Sequence, residues 1–325
     1  MTIPIYDAIF LGFQCVCYII YIMLALIFIN KMVSGKDRKN EKDFTSFKIH
    51  FIINTFYDIL QAFAVLIFQK FLHWNIWIEF FKNNLFTHIL YAPVLYMSIL
   101  GSIIGGCIIV INRYCALVHP IFFKQRWNIK VSLTLVGIQV ILPIFSFSHN
   151  FFYNSKVNYY EILHIHTFDI ADKAISQLNN VILSFFSGIV CFITLSLNII
   201  LLHRYGKLIE GLNKNEKSKK TYMFFYSLAT TLCLFLLFAE QVIRLIFGLT
   251  HNDTGIYILT YVLYWIIPTF TCLQPILILT MSKEIRRQFI LTYFSFLLPK
   301  SYYSHPVVLA PIYRITTIKR TIALM

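Results

Sequence analysis

The chain has 325 residues, 58% of them apolar and 13% charged, and a formal net charge of +14. Soluble domains run to about 45–50% apolar and 25% charged, so a chain with 32 Phe and 20 Tyr cannot be covered by this little polar surface. Disordered, collagenous and coiled-coil chains are excluded by the same figures. The seven Cys fall in or at the edge of apolar segments, which is not the pattern of a secreted disulfide scaffold.

Crossing about 30 Å of hydrocarbon takes about 20 apolar residues in a helix. Seven such stretches occur, at 8–30, 50–68, 88–111, 131–147, 180–203, 222–249 and 256–281, and the fourth is short enough to borrow 128–130 at its lower end. Barrel strands would be about half as long and alternating. The first stretch has no basic region ahead of it and ends in Asn30-Lys31, so it reads as a retained span that also acts as the targeting signal. No transit-peptide signature is present.

Orientation follows from Lys and Arg. With the N-terminus outside, the inner segments 31–48, 113–130, 204–220 and 282–325 hold 23 of the 28 basic residues. Their net charge is +17, against −2 for the outer segments and −1 within the spans. The prediction is therefore an all-α, seven-transmembrane-helix bundle, N-terminus outside and C-terminus inside. It has one receptor-sized domain over 1–295, including a short inner-leaflet helix, and a cytoplasmic tail over 296–325. The positive charge faces anionic lipid at a bilayer. No finger spacing or RNA-binding signature accompanies it, so no nucleic-acid partner is expected.

A G-protein-coupled receptor, a secondary transporter and an unrelated seven-helix channel compete for this topology. Transporters place ionisable residues or broken helices at matching points of two halves. Here the in-span charges are only Asp58, Glu240 and Arg244, with no repeat. The discriminating stretch follows the third span: Ile111-Asn112-Arg113-Tyr114-Cys115-Ala116-Leu117-Val118-His119-Pro120-Ile121. In position and residue type it resembles the Asp-Arg-Tyr motif of rhodopsin-like receptors, with Pro120 six residues after the Tyr.

Asn54 and Asp58 in the second span, Asn-Arg-Tyr followed by Pro120, and then Arg126-Trp127 resemble the nematode serpentine chemoreceptors, in the superfamily containing classes gamma and V. The likeness runs from about residue 8 to 295, and these segments are shared by both classes. It implies a chemosensory receptor in the plasma membrane, of the sensory cilium in particular, with a small-molecule ligand, a heterotrimeric G protein and the lipid bilayer as partners. It also implies that Asn112, Arg113, Tyr114 and Pro120 form the coupling surface, where Arg113 meets the G protein. A receptor for an internal peptide and a transporter remain the alternatives.

The chain departs from the rhodopsin-like pattern. The sixth span has neither Trp nor Pro, Gln274-Pro275 stands where Asn-Pro is usual, and the outer loop 148–177 has no Cys for a disulfide to the third span. With no Lys in the seventh span an opsin-type Schiff base is unavailable, and with no acid in the third there is no partner for an amine ligand. No nucleophile with a base and no metal cluster appears, so neither catalysis nor a cofactor is expected. His164 and His166 read as solvated loop side chains.

Each polar residue has an ordinary structural reading beside the functional one. Arg113 can snorkel from its helix end. The resemblance instead has it reach between the helix ends, with Asn112 replacing the acid that would pair with it. A buried Asp58 needs polar partners, and Gln274 is long enough to be one. Glu240 and Arg244, four apart, share a helix face in the order that favours an ion pair, serving structure or a ligand gate. Tyr91 and Tyr96 on the third span, and Tyr257, Tyr261 and Tyr264 at i, i+4, i+7 on the seventh, are ligand-pocket candidates, although each also suits an interfacial anchor. Beyond Met281, Ile285, Phe289 and Tyr293 line one face of a short helix along the inner leaflet, and no later Cys is available for palmitoylation. Ser301, Ser304, Thr316, Thr317 and Thr321 are candidate phosphorylation sites. Asn252 begins the single glycosylation sequon, too close to the membrane to be used.

Overall fold

The computed structural model describes residues 3–34, 42–161 and 164–295. The proposed tail, with its five Ser and Thr candidates, lies outside them. Seven helices are long and apolar enough to cross a membrane. They are α1 (Ile5–Ser34), α2 (Lys42–Ala64, continuing as one π turn, Val65–Lys70, and on through Phe71–His73), α3 (Leu85–Val118) and α4 (Ile129–Phe147). After them come α5 (Lys173–Ile209), α6 (Lys214–Leu249) and α7 (Asp253–Met281). The bundle end where α1 starts is called the N-face below, and the opposite end the C-face.

Local sequence sets most helix starts. Asn128 accepts the Lys130 and Val131 amides at α4, Asp172 those of Ala174 and Ile175 at α5, and Asn213 that of Glu216 at α6. Each thereby satisfies amides the first turn leaves unpaired. Asn252 does the same for α7 by accepting from Gly255, so the sequon Asn is itself a helix cap. Between α3 and α4, Pro120 opens a short helix (Pro120–Arg126), where its missing N–H costs nothing.

α3 is the axis. Every residue from Ser98 to Val110 is buried, and the helix packs on α2, α4, α5 and α6. A helix apolar on every side is suited to that central place. The peripheral helices instead turn Ile141, Phe145, Phe192 and Ile199 outward, where a membrane supplies the apolar solvent. Two glycines allow α2 and α4 to approach α3. A Cβ at Gly101 would fall 2.3 Å from the Tyr57 ring, and one at Gly105 1.8 Å from Asn54 Oδ1. The Gln139 amide of α4 also donates to the Gly101 carbonyl at 3.0 Å.

The stretch read as an outer loop is folded. After a 3-10 turn (Ser148–Phe152), strands β1 (Ser155–Tyr160) and β2 (Ile165–Ile170) form an antiparallel hairpin in which Val157 faces Phe168 and Ser155 faces Ile170. Phe168 and Ile170 point inward and are buried. His164 and His166 are not free: they hydrogen-bond Tyr159 and Asn75, at 3.1 and 2.8 Å. At the C-face, α8 (Lys283–Tyr293) buries Ile285 and Phe289 against α1 and α7, and Tyr293 donates to the Met23 carbonyl.

Candidate functional site

Polar side chains gather at two levels. At the C-face, Arg113 is half-buried, and its Nε is shut off from solvent without a hydrogen-bond partner. Its guanidinium carbon lies 4.1 Å from the Phe47 ring centroid of α2 and 5.2 Å from the Tyr226 centroid of α6. No carboxylate is ion-paired with it among the described residues. The side chain does not snorkel outward; two aromatic faces hold it.

Asn112 turns elsewhere. Its amide approaches Ser46 Oγ at 3.4 Å, the same oxygen that accepts from Trp127 Nε1 at 2.6 Å and shares a hydrogen bond with Ser132. The expectation that Asn112 restrains Arg113 is therefore corrected: adjacent residues on a helix point about 100° apart, and Asn112 ties α3 to Ser46 of α2, whose oxygen also meets Ser132 of α4 and Trp127 next to the Pro120 helix. Tyr114 sets its ring edge-on to His119, beside the cluster of Leu117, Leu201 and Phe224. Pro120 is exposed.

Asp58, fully buried, is satisfied without α7. One carboxylate oxygen accepts from Tyr21 and Asn54, both at 2.8 Å, and the other from Ser102. The expected Asp58–Gln274 contact is likewise corrected, since the Gln274 carbonyl accepts from the Tyr226 hydroxyl. The result is a relay from Arg113 on α3 through Tyr226 on α6 to Gln274, beside Pro275, on α7.

At the N-face the predicted ion pair is present. Arg244 reaches Glu240 Oε1 through Nη2 at 2.6 Å and through Nε at 2.8 Å, and its Nη1 donates to Thr260 of α7. Gln241 donates to the other Glu240 oxygen. Tyr91 stacks on Phe168 of the hairpin with centroids 5.0 Å apart. Tyr257 rests against Tyr160, while Tyr261 and Tyr264 both meet His73, and Tyr261 donates to Tyr6. All five tyrosines thus lie at the N-face, where Tyr261 and Tyr264 turn toward α1 and α2 and Tyr257 toward the hairpin.

Sequence reading missed a second N-face cluster. Lys70, 3% exposed, lies over the Phe10 and Trp74 rings, and Trp74 donates to buried Asp7 at 3.2 Å. Gln14, Gln69 and His73 each leave a buried polar atom without a partner here. Ending the second span at Phe68 hid the group, because Lys70 then counted as outer-loop charge. The four-residue step from Lys70 to Trp74 was the available signal.

These positions define a class: a seven-helix membrane receptor with an aromatic, polar interior at one end and a motif-bearing latch at the other. The chain matches the Srg family chemoreceptor profile over residues 11–289 and belongs to that family. No match is found among curated proteins.

Proposed function

We propose that this chemoreceptor binds a small molecule in its N-face interior, facing outside, and activates a heterotrimeric G protein at its cytoplasmic C-face in the plasma membrane of a sensory cilium. The observation that carries the reading is Arg113, a half-buried cation held by the Phe47 and Tyr226 rings and joined through Tyr226 to Gln274. A cation over an aromatic face is worth about 0.5–2 kcal/mol, a restraint that a ligand's preference for the open conformer can overcome. Ligand binding then shifts an existing equilibrium. Once the ends of α3 and α6 separate, Arg113 and Tyr114 are presented to the G protein. A lining of Tyr, Phe and Leu with the neutralised Glu240–Arg244 pair suits a small, mainly apolar or aromatic ligand bearing a hydroxyl or carbonyl.

Arg113→Ala tests this. Ligand binding to the uncoupled receptor should persist, nucleotide exchange should disappear, and the G protein should lose its ability to raise ligand affinity. A chain that carries a substance across the membrane equally well with and without Arg113, with no nucleotide exchange in either, is a transporter instead.

A further inference from the structure

A cleft of about 450 Å³ opens at the C-face between the ends of α3 and α5, lined by Val118, His203, Arg204, Lys207 and Leu208. The receptor site described above uses none of these residues. α5 has two well-defined sides. Thr194, Asn198 and Leu201 are buried toward the bundle, and Asn198 bonds Thr231 and Ser227 of α6. Phe192 and Ile199 are 74% and 65% exposed on the opposite side. His203 and Lys207 follow Ile199 at i+4 and i+8, so they continue this outward side rather than the packed one. A stripe of side chains that meets acyl chains therefore ends in exposed basic groups at the depth where headgroups begin. Lys220 Nζ, bonded to the Leu208 carbonyl at 3.2 Å, brings a further ammonium to the rim.

We propose that this cleft is a binding site for a membrane phospholipid whose headgroup bears several phosphates, a polyphosphoinositide, with its acyl chain along Ile199 and Phe192. Convergent cations favour a multiply charged headgroup over a singly charged one. The chain-carrying lipid fits a cleft whose lining combines Arg204 and Lys207 with Val118 and Leu208, next to the apolar outward side of α5 at Ile199 and Phe192. Val118 of α3 and Leu208 of α5 share the cleft, so the occupant bridges two helices that the proposed activation moves. The physiological leaflet rests on the N-outside orientation proposed above; binding itself does not.

The test uses the full chain in nanodiscs, which expose both faces, so that orientation cannot affect the result. Phosphatidylcholine discs carry either phosphatidylinositol 4,5-bisphosphate or phosphatidylserine at equal total negative charge, and bound lipid is counted by native mass spectrometry. The expected result is selective retention of the bisphosphate lipid, reduced at least about tenfold in H203Q/R204Q/K207Q. Removing the same number of basic groups elsewhere on the C-face, in K214Q/K217Q/K283Q, should change it less than about twofold. The single reversal Lys207→Glu should act in the same direction, and thermal unfolding should match the parent chain. Equal retention of phosphatidylserine, or an equal loss in the control variant, would show diffuse attraction and overturn the proposal. Equally tight binding of soluble inositol trisphosphate would overturn the lipid assignment. Tags at the two termini probed on intact cells test orientation separately, and reversed labelling with binding retained would refute that reading alone.

Discussion

Among the described residues, the guanidinium groups of Arg113 and Arg244 are both partly buried, and the molecule treats them in opposite ways. Arg244 at the N-face has a carboxylate at 2.6 Å, a threonine hydroxyl and a glutamine-braced partner. Arg113 at the C-face has two ring faces and an Nε with no partner. Losing one partner of a buried ion pair costs about 3–5 kcal/mol, since it leaves an uncompensated charge. Loss of a ring face costs about 0.5–2 kcal/mol. The first arrangement fixes geometry and the second permits release, the difference expected if the N-face binds the ligand and the C-face couples, as proposed above.

Breaking the strong side should have the largest effect. Glu240→Gln leaves Arg244 charged and unpaired, and is expected to lower stability by about 3–5 kcal/mol in detergent unfolding. Adding Arg244→Gln should restore most of it, and a double variant as unstable as the single one would mean that the pair is not what holds this region. Gly105→Ala probes the axis connecting the two ends. Its Cβ would meet Asn54 Oδ1 and Gln139 Nε2, so both side chains must turn aside and the Gln139 bond to the Gly101 carbonyl is lost, at a cost of about 1–3 kcal/mol, read as reduced surface expression and melting temperature. Normal values for both would mean that the contact yields.

The weak side should respond in signalling rather than stability. Tyr226→Ala removes a ring face and the bond to Gln274, and ligand-free nucleotide exchange should rise about tenfold. Tyr226→Phe, which keeps the ring, should raise it less. Arg113→Ala abolishes coupling while Tyr226→Ala increases it, so two variants of one contact should move the signal in opposite directions. A fall in basal exchange with Tyr226→Ala would remove the latch.

The smallest effect is expected at the hairpin. Burial, with Lys82 nearby, lowers the His166 pKa below its ordinary value. A depressed histidine pKa means that the unfolded chain binds the proton more readily, so the contribution opposes folding as pH falls through the unfolded value of about 6.5. Protection of β1 and β2 against hydrogen exchange, corrected for the intrinsic pH dependence of the exchange rate, should therefore fall slightly from pH 7 to pH 5, and His166→Asn should remove the dependence.

Much of this architecture was legible because its signals are local. Span lengths, the Asn128 start of α4 and the Glu240–Arg244 spacing all lie within a few residues of sequence. The latch was not legible: Arg113 is 66 positions from Phe47 and more than 100 from Tyr226, and nothing in a ring's neighbours reveals which cation it will face. The partners of Asn112 and Gln274 escaped the sequence for the same reason: Ser46 and Tyr226 lie far from them along the chain. The hairpin escaped notice because β1, with Asn158 and two tyrosines, alternates too weakly to separate from a polar loop.

The π turn in α2 has a consequence of phase. An α-helix advances about 100° per residue, which would carry Lys70 about 120° away from the face of Asp58, toward the hydrocarbon. Widening one turn over Val65–Lys70 absorbs about one extra residue and returns Lys70 to within about 20° of that face. One rod therefore keeps two registers, aligned with α3 below the turn and with the rings of Phe10 and Trp74 above it. Deleting a single residue within the turn would restore an unbroken helix and leave the lysine on the same side, whereas inserting one further residue would swing it toward lipid, where a charge at that depth costs a few kcal/mol.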